Sequence, residues 1–332
     1  MKSLIQELVE TISPSGYEAK VRELIRTKIE TLADEVQVDA LGNLIAVKGG
    51  NESSAKRIML AAHMDEIGII ATHIDEAGFV RFTTIGGVSR HTCIGGRVRF
   101  LDGTQGVIYY EKLENTSSLP TFSQMYVDVG AASRKDCPVR VGDVAAFDRD
   151  FSAYGDRLVS KAMDDRIGVA VLIETLRKLK KSPNQVYFVF SVQEEVGLRG
   201  ATTAAFGLDP DIGIAVDVTR SGDTPKGHKM DVSLGSGPAI KVRDSGMLSD
   251  PKVVDWMVNT ADDAKIPYQL EVLEGGTTDA RAIQLTRAGV PAGCISIPCR
   301  YIHTPSEMVD LNDVKNAIEL LLKLISQEVE LG

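Results

Sequence analysis

Five consecutive β-branched or aromatic residues, Val186-Tyr187-Phe188-Val189-Phe190, run without polar alternation into Ser191-Val192-Gln193-Glu194-Glu195-Val196-Gly197. Such a run encodes a strand buried on both faces of a parallel sheet, and parallel sheets belong to α/β architectures. The strand has no solvated face, yet it ends on two adjacent carboxylates. Leaving a buried carboxylate unpaired costs several kcal/mol, roughly the order known for buried ions, so something must compensate the pair. A salt bridge, a helix N-terminus near Gly197 or metal ions could do so. In open α/β sheets ligands bind beyond the carboxyl ends of the strands, which places the two acids where chemistry is done. A structural ion pair with Arg199 is the competing reading.

The same pattern recurs along the chain. Ile58-Met59-Leu60-Ala61-Ala62 ends in His63-Met64-Asp65-Glu66, and Ile212-Gly213-Ile214-Ala215-Val216 ends in Asp217. Asp164 and Asp165 stand at the mouth of a long helical pattern, Ile167 to Lys180, and Ala292 to Ile297 leads towards Tyr301-Ile302-His303. Helical spacing marks residues 3–12 and 17–33, separated by the breakers Ser13-Pro14-Ser15-Gly16, and again 251–264, 279–288 and 311–329. Gly42-Asn43 joins two short strands as a hairpin. From about Gly68 to Tyr154 the texture changes to short alternating β pieces punctuated by turns. The expectation is an α/β fold: a mixed sheet flanked by helices, formed by residues 1–67 and 158–332, with a small all-β domain inserted at 68–157.

Composition narrows the function. With 332 residues, 43% hydrophobic and 25% charged, the chain has ample core and is not disordered. A net charge of −9 without clustered Lys and Arg argues against a nucleic-acid partner. No apolar run approaches the ~18 residues of a membrane span, so no membrane role is expected. Cys93, Cys137, Cys294 and Cys299 lack zinc-finger or CxxC spacing and read as reduced thiols of a cytoplasmic protein.

Collected at the strand ends are His63, Asp65, Asp164, Glu194, Glu195, Asp217 and His303. Singly each is weak evidence, since an Asp at a helix start is most often a cap and a lone His most often packing. Together they are harder to dismiss, because the chain has only five histidines and gathered acids repel unless cations intervene. Mixed imidazole and carboxylate donors suit zinc, cobalt or manganese, and the set is large enough for two open sites sharing a carboxylate. Two ions ~3.5 to 4 Å apart polarise a carbonyl and activate water, which is hydrolytic chemistry. One acid must stay free to move the proton.

Five stretches carry a family resemblance: Ala62-His63-Met64-Asp65-Glu66-Ile67-Gly68, Met163-Asp164-Asp165-Arg166, Val192 to Gly200, Asp217-Val218-Thr219 and Arg300-Tyr301-Ile302-His303. Over essentially the whole chain the sequence resembles the tetrahedral, or glutamyl, aminopeptidases of the co-catalytic di-metal peptidases. The resemblance implies that Asp164 bridges two divalent ions, zinc or cobalt, with His63 and Asp217 at one and Glu195 and His303 at the other. It implies Glu194 as general base and Asp65 as the partner that orients His63. It also implies short peptides as substrates, the inserted domain as a dimerisation element, and a homododecamer built from dimers. The loop Glu274 to Ala280 would border the substrate side chain, so Thr277 and Arg281 bear on specificity, although a surface or capping pair with Asp279 is the favoured reading of Arg281. Two other readings stay open at this stage: a glycoside hydrolase using the paired carboxylates, and a metal-binding scaffold without catalysis.

Overall fold

The computed structural model describes residues 1–50, 55–115, 117–329 and 331. At its centre four strands, Gln185–Ser191, Arg57–His63, Ile212–Arg220 and Ala292–Arg300, lie side by side and parallel. Alternation explains why they read as continuous apolar runs. Ile58, Leu60 and Ala62 point into one core with Ile167 and Val171, while Met59 and Ala61 point into a second with Ala204, Ala205 and Ile283. Both faces are therefore covered, by the helix Met163–Lys178 on one side and by Arg199–Leu208 and Asp279–Gln284 on the other.

Seven further strands extend this core to an 11-stranded sheet, all by antiparallel pairing except Gln269–Val272, which runs parallel to Ala239–Arg243. Leu44–Lys48 and Glu35–Val38 lie beyond Gln185–Ser191. On the other side Ala292–Arg300 pairs with Glu307–Asp310, followed by Arg157–Ser160 and Ser152–Tyr154. Met163–Lys178 is apolar nearly all round and buried from Met163 to Leu176, as such a helix must be. It carries Arg177 and Lys178 in its last turn, where a cation suits the helix dipole.

Six further strands, from Gly68–Ile74 to Val144–Phe147, close into a small antiparallel barrel around Ile69, Val80, Phe82, Val98, Phe100, Ile108 and Val127. Closure removes the exposed edges that short strands otherwise present. The chain is thus the expected α/β fold with a small all-β element, the barrel leaving the large sheet just after His63.

Four strands escaped the sequence reading, Ala239–Arg243, Gln269–Val272, Glu307–Asp310 and Arg157–Ser160, and Ser152–Tyr154, expected in the inserted domain, pairs instead into the large sheet. In the first two a charged residue breaks the apolar pattern, and the charges prove to be partners: Lys241 Nζ lies 3.0 Å from Glu271 Oε1, both side chains buried. In the third, Asp310 caps the helix Leu311–Ile325 by accepting from Asn312 N, so the local signal is that of a helix start. The helix expected at 279–288 is shorter, Asp279–Gln284, and Arg287 beyond it has φ of 48°.

Candidate metal centre and active site

The strand ends converge. His63 closes Arg57–His63, Asp217 lies within Ile212–Arg220, and Asp164 stands at the start of Met163–Lys178, all three buried. His63 Nε2 is 2.9 Å from Asp164 Oδ1 and 3.9 Å from both Asp217 Oδ1 and Glu194 Oε2. On the other side of Asp164, His303 Nε2 is 3.4 Å from Asp164 Oδ2 and 3.1 Å from Glu195 Oε1. One carboxylate thus faces both imidazoles. Glu194 and Glu195 lie past the strand end, where Gln193 adopts φ of 55°, and the turn lets the two side chains approach different histidines.

Asp65 sits beneath this arrangement, fully buried. Its Oδ1 lies 3.4 Å from His63 Nδ1, longer than a good hydrogen bond. Its stronger contacts lie elsewhere: Asp65 accepts from Glu194 N at 3.0 Å, Glu195 N at 3.2 Å and the Ser15 hydroxyl at 2.6 Å. Asp165, also buried, accepts from Gly168 N at 3.0 Å. The ion pair of Glu194 or Glu195 with Arg199 is absent among the described residues; Arg199 instead donates to the Gln193 side chain.

Several supporting residues were given no role by the sequence, although Glu66 and Arg166 stand within the motifs quoted above. Glu66, Lys161 and Arg166 form a buried charge cluster, with Lys161 Nζ 2.7 Å and Arg166 3.5 Å from the Glu66 carboxylate. Arg166 also donates to the carbonyls of Leu8, Thr11 and Ser13. Glu18 accepts from Gly16 N and Gln193 N, so the breaker segment at 13–16 and the residues after it brace the loop carrying Glu194. Asp279 pairs with the Ser191 hydroxyl and not with Arg281.

These groups open onto a cavity of about 670 Å³. His63, Asp164, Glu194, Glu195, Asp217 and His303 line one part, and Leu198, Val218, Thr219, Lys241, Leu273, Thr277 and Arg281 line the rest. Its electrostatics are those of crowded anions. Burial raises Glu194 well above the usual carboxylate range, and Asp217 and Glu195 push it further. Burial likewise raises Asp217 and Glu195. Burial alone would lower His303, but its hydrogen bonds to Asp164 and Glu195 hold it up at about 12. His63 is raised well above its usual value against its own burial, by Glu194 and Asp164.

Crowding of this kind fits divalent cations, which invert the local preference and let every carboxylate ionise. Two groups have donor atoms mutually within 4.8 Å: His63, Asp164 and Asp217, and Asp164, Glu195 and His303. Asp164 belongs to both. The oxygen and imidazole nitrogen donors suit zinc, cobalt or manganese, and three protein donors per group leave positions open for water or substrate.

Known proteins share this construction. Residues 42–320 match the model of the M42 glutamyl aminopeptidase family. A candidate aminopeptidase of Acetivibrio thermocellus is 50% identical, covering 98% of this chain and 98% of its own. A solved aminopeptidase of the archaeon Desulfurococcus kamchatkensis has a TM-score of 0.94 at 42% identity, over 98% of this chain and 94% of that one. The solved TET1 peptidase of Pyrococcus horikoshii, described as assembling into a tetrahedron or a large octahedral shell, has a TM-score of 0.89 at 31% identity, over 98% of this chain and 99% of that one. With motif, fold and whole-length similarity in agreement, the chain belongs to the M42 glutamyl aminopeptidase family.

Proposed function

We infer that this metal-dependent aminopeptidase removes N-terminal residues from short peptides, with Glu194 as general base beside a two-ion centre held by His63, Asp164, Glu195, Asp217 and His303. The observation that carries the reading is Asp164, whose Oδ1 lies 2.9 Å from one imidazole and Oδ2 3.4 Å from the other. A single carboxylate so placed can serve two cations, zinc or cobalt by the chemistry of the donors. Bound divalent ions supply Lewis acidity, polarising the scissile carbonyl and lowering the pKa of a water.

The protein's own groups do the rest. Glu194 belongs to neither donor group, which leaves its carboxylate free to take a proton and return it. It accepts the proton of the attacking water as the C–O bond forms, then delivers that proton to the departing amine nitrogen as the C–N bond breaks. Asp65 holds Glu194 and Glu195 in place through their amides. Its carboxylate also faces His63 Nδ1, favouring the tautomer that presents Nε2 to the cavity.

A sugar-hydrolysing reading needs two carboxylates left free across a glycosidic bond. Here Glu195 is engaged with His303. A purely structural metal site is closed, whereas these donors line an open cavity.

The tetrahedral assembly described for the TET1 relative is in keeping with a homododecamer of dimers for this chain, with the barrel within residues 68–157 as the associating element on the catalytic body of 1–67 and 158–332, although Ser152–Tyr154 and Arg157 at the end of that span pair into the large sheet. The barrel strand Gln105–Tyr110 leaves Val107 and Tyr109 exposed, the kind of surface an assembly covers. No described helix is long and apolar enough to cross a membrane, and the described cysteines are free, in keeping with a cytoplasmic location.

Hydrolysis of aminoacyl anilides and short peptides tests the reading, measured before chelation, after it, and after restoring zinc or cobalt. Activity should vanish and return with about two ions per chain, the number a bridged centre needs. Full activity with one tightly bound ion contradicts the two-ion centre, and equal activity on N-blocked peptides contradicts aminopeptidase action.

A further inference from the structure

Glu307 opens the strand Glu307–Asp310, four residues beyond His303, and is buried at 2% exposure. Both its oxygens are committed to backbone amides. Oε1 accepts from His303 N at 2.7 Å and Oε2 from Asp164 N at 3.0 Å. These amides come from distant parts of the chain, the start of Met163–Lys178 and the loop after Ala292–Arg300. They belong to two of the three residues in the Asp164, Glu195 and His303 group.

The local backbone gives the contact weight. His303 has φ of 62° and Tyr301 has φ of 63°, a left-handed region that non-glycine residues enter at a cost. Such a conformation persists where its surroundings over-determine it, and the carboxylate accepting the His303 amide is one such determinant. Asp65 performs the parallel task across the centre, accepting the amides of Glu194 and Glu195. An ordinary buried carboxylate would also satisfy buried amides. What distinguishes Glu307 is that both amides belong to donors of one group.

We propose that Glu307 is a positioning residue for the ion site of Asp164, Glu195 and His303. Its carboxylate ties the Asp164 backbone to the His303 backbone and so fixes the spacing of their side-chain donors. The proposal rests on reading that group as an ion site. Neither oxygen is spare, so Glu307 acts through the two residues it ties. Glu307→Gln keeps the length but replaces one acceptor with an NH₂, which cannot accept from an amide N–H. Glu307→Asp keeps the charge and both acceptors but is one methylene too short to span both amides.

The test is calorimetric titration of the chelated protein with Zn²⁺ or Co²⁺, together with the visible spectrum of the Co²⁺ form. Wild type, Glu307→Gln, Glu307→Asp, His303→Ala and His63→Ala are compared, with thermal unfolding of each metal-free form. Glu307→Gln and Glu307→Asp should weaken one binding event by about 10- to 100-fold, the effect usual for residues that orient metal ligands. The more weakened event should be the one His303→Ala removes, because both tied residues serve it, while the event lost in His63→Ala, which shares only Asp164, should weaken less. The Co²⁺ spectrum should change with it, and kcat should recover at saturating metal. Unchanged binding in both variants overturns the tie alone, as does equal weakening of both events in step with a lower unfolding midpoint. If Glu307→Gln does not fold, Glu307→Asp decides by the same criteria. A wild-type protein that binds no divalent ion overturns the ion-site reading and the tie together.

Discussion

The barrel and the large sheet are both packed with apolar side chains, but they differ in what else they bury. Among the described residues from 68 to 151, no polar or charged side chain is buried. The sheet and its helices bury Glu18, His63, Asp65, Glu66, Lys161, Asp164, Asp165, Arg166, Asp217, Lys241, Glu271, Asp279 and Glu307. A core like the barrel's needs only suitable shape and apolar area, and its stability is indifferent to charge. The sheet's buried charges persist only where geometry supplies a partner or a cation, so their positions are far more narrowly specified. The barrel therefore carries structure and surface, while the candidate metal centre lies at the strand ends.

The strongest test of that contrast is in the barrel. Phe100, 3% exposed in the barrel core, should cost about 3–5 kcal/mol when replaced by Ala. Denaturant unfolding measures the cost. At a temperature where Phe100→Ala is folded, metal content and kcat should match wild type; loss of metal from the folded variant would break the comparison. Asp65→Asn is the corresponding change in the sheet. An Asn side chain cannot serve both the Glu194 and Glu195 amides and the Ser15 hydroxyl as Asp65 does. Activity should fall about 10- to 100-fold with the circular dichroism spectrum preserved, and wild-type kinetics in this variant would show that the loop holds its place without Asp65.

How much of this was legible in the sequence depends on how far each feature reaches. Runs such as Ile58 to Ala62 and Val186 to Phe190 announce buried strands locally, so the polar residues closing them, His63 and the Glu194-Glu195 pair, stand out unaided. Their separate roles were suggested only by resemblance, because nothing local tells two neighbouring carboxylates apart. Contacts between distant segments left no trace. Asp65 meets Ser15 from 50 residues away, and Glu307 meets Asp164 from 143 residues away. Lys241 and Glu271 hid their strands altogether, since each looks polar until the other is placed beside it.

The two regions meet at Gly86-Gly87, and a smaller effect is expected there. A Cβ on Gly87 would lie 2.5 Å from His303 Nδ1, closer than real Cβ contacts, so the ring must move. Gly87→Ala should weaken metal binding by about tenfold, the lower end for disturbed ligand orientation, as measured by competition with a chelating dye. Unchanged affinity would mean that the barrel does not confine His303.

The smallest effect concerns pH. Burial alone would raise Asp223, but hydrogen bonds from Arg300, at 2.7 and 3.0 Å, bring it down to about 2 from the ordinary 3.8. A carboxylate depressed in the folded state stabilises above its unfolded pKa and loses that contribution as pH falls through the folded value. The unfolding midpoint of wild type should therefore decline between about pH 4 and 2 more steeply than that of Asp223→Asn. Parallel curves would show that the pair contributes nothing.

The central claim is the division of labour between Glu194 and Glu195. Glu195 Oε1 lies 3.1 Å from His303 Nε2 within a donor group, and Glu194 belongs to neither group. Metal content and kcat of Glu194→Gln and Glu195→Gln, measured side by side at saturating metal, test it most directly. Glu194→Gln should keep its full complement of ions and lose at least ~10²-fold in kcat, while Glu195→Gln should lose metal affinity first and activity in consequence. A metal-depleted Glu194→Gln beside a fully loaded, inactive Glu195→Gln would contradict the account and exchange the two roles.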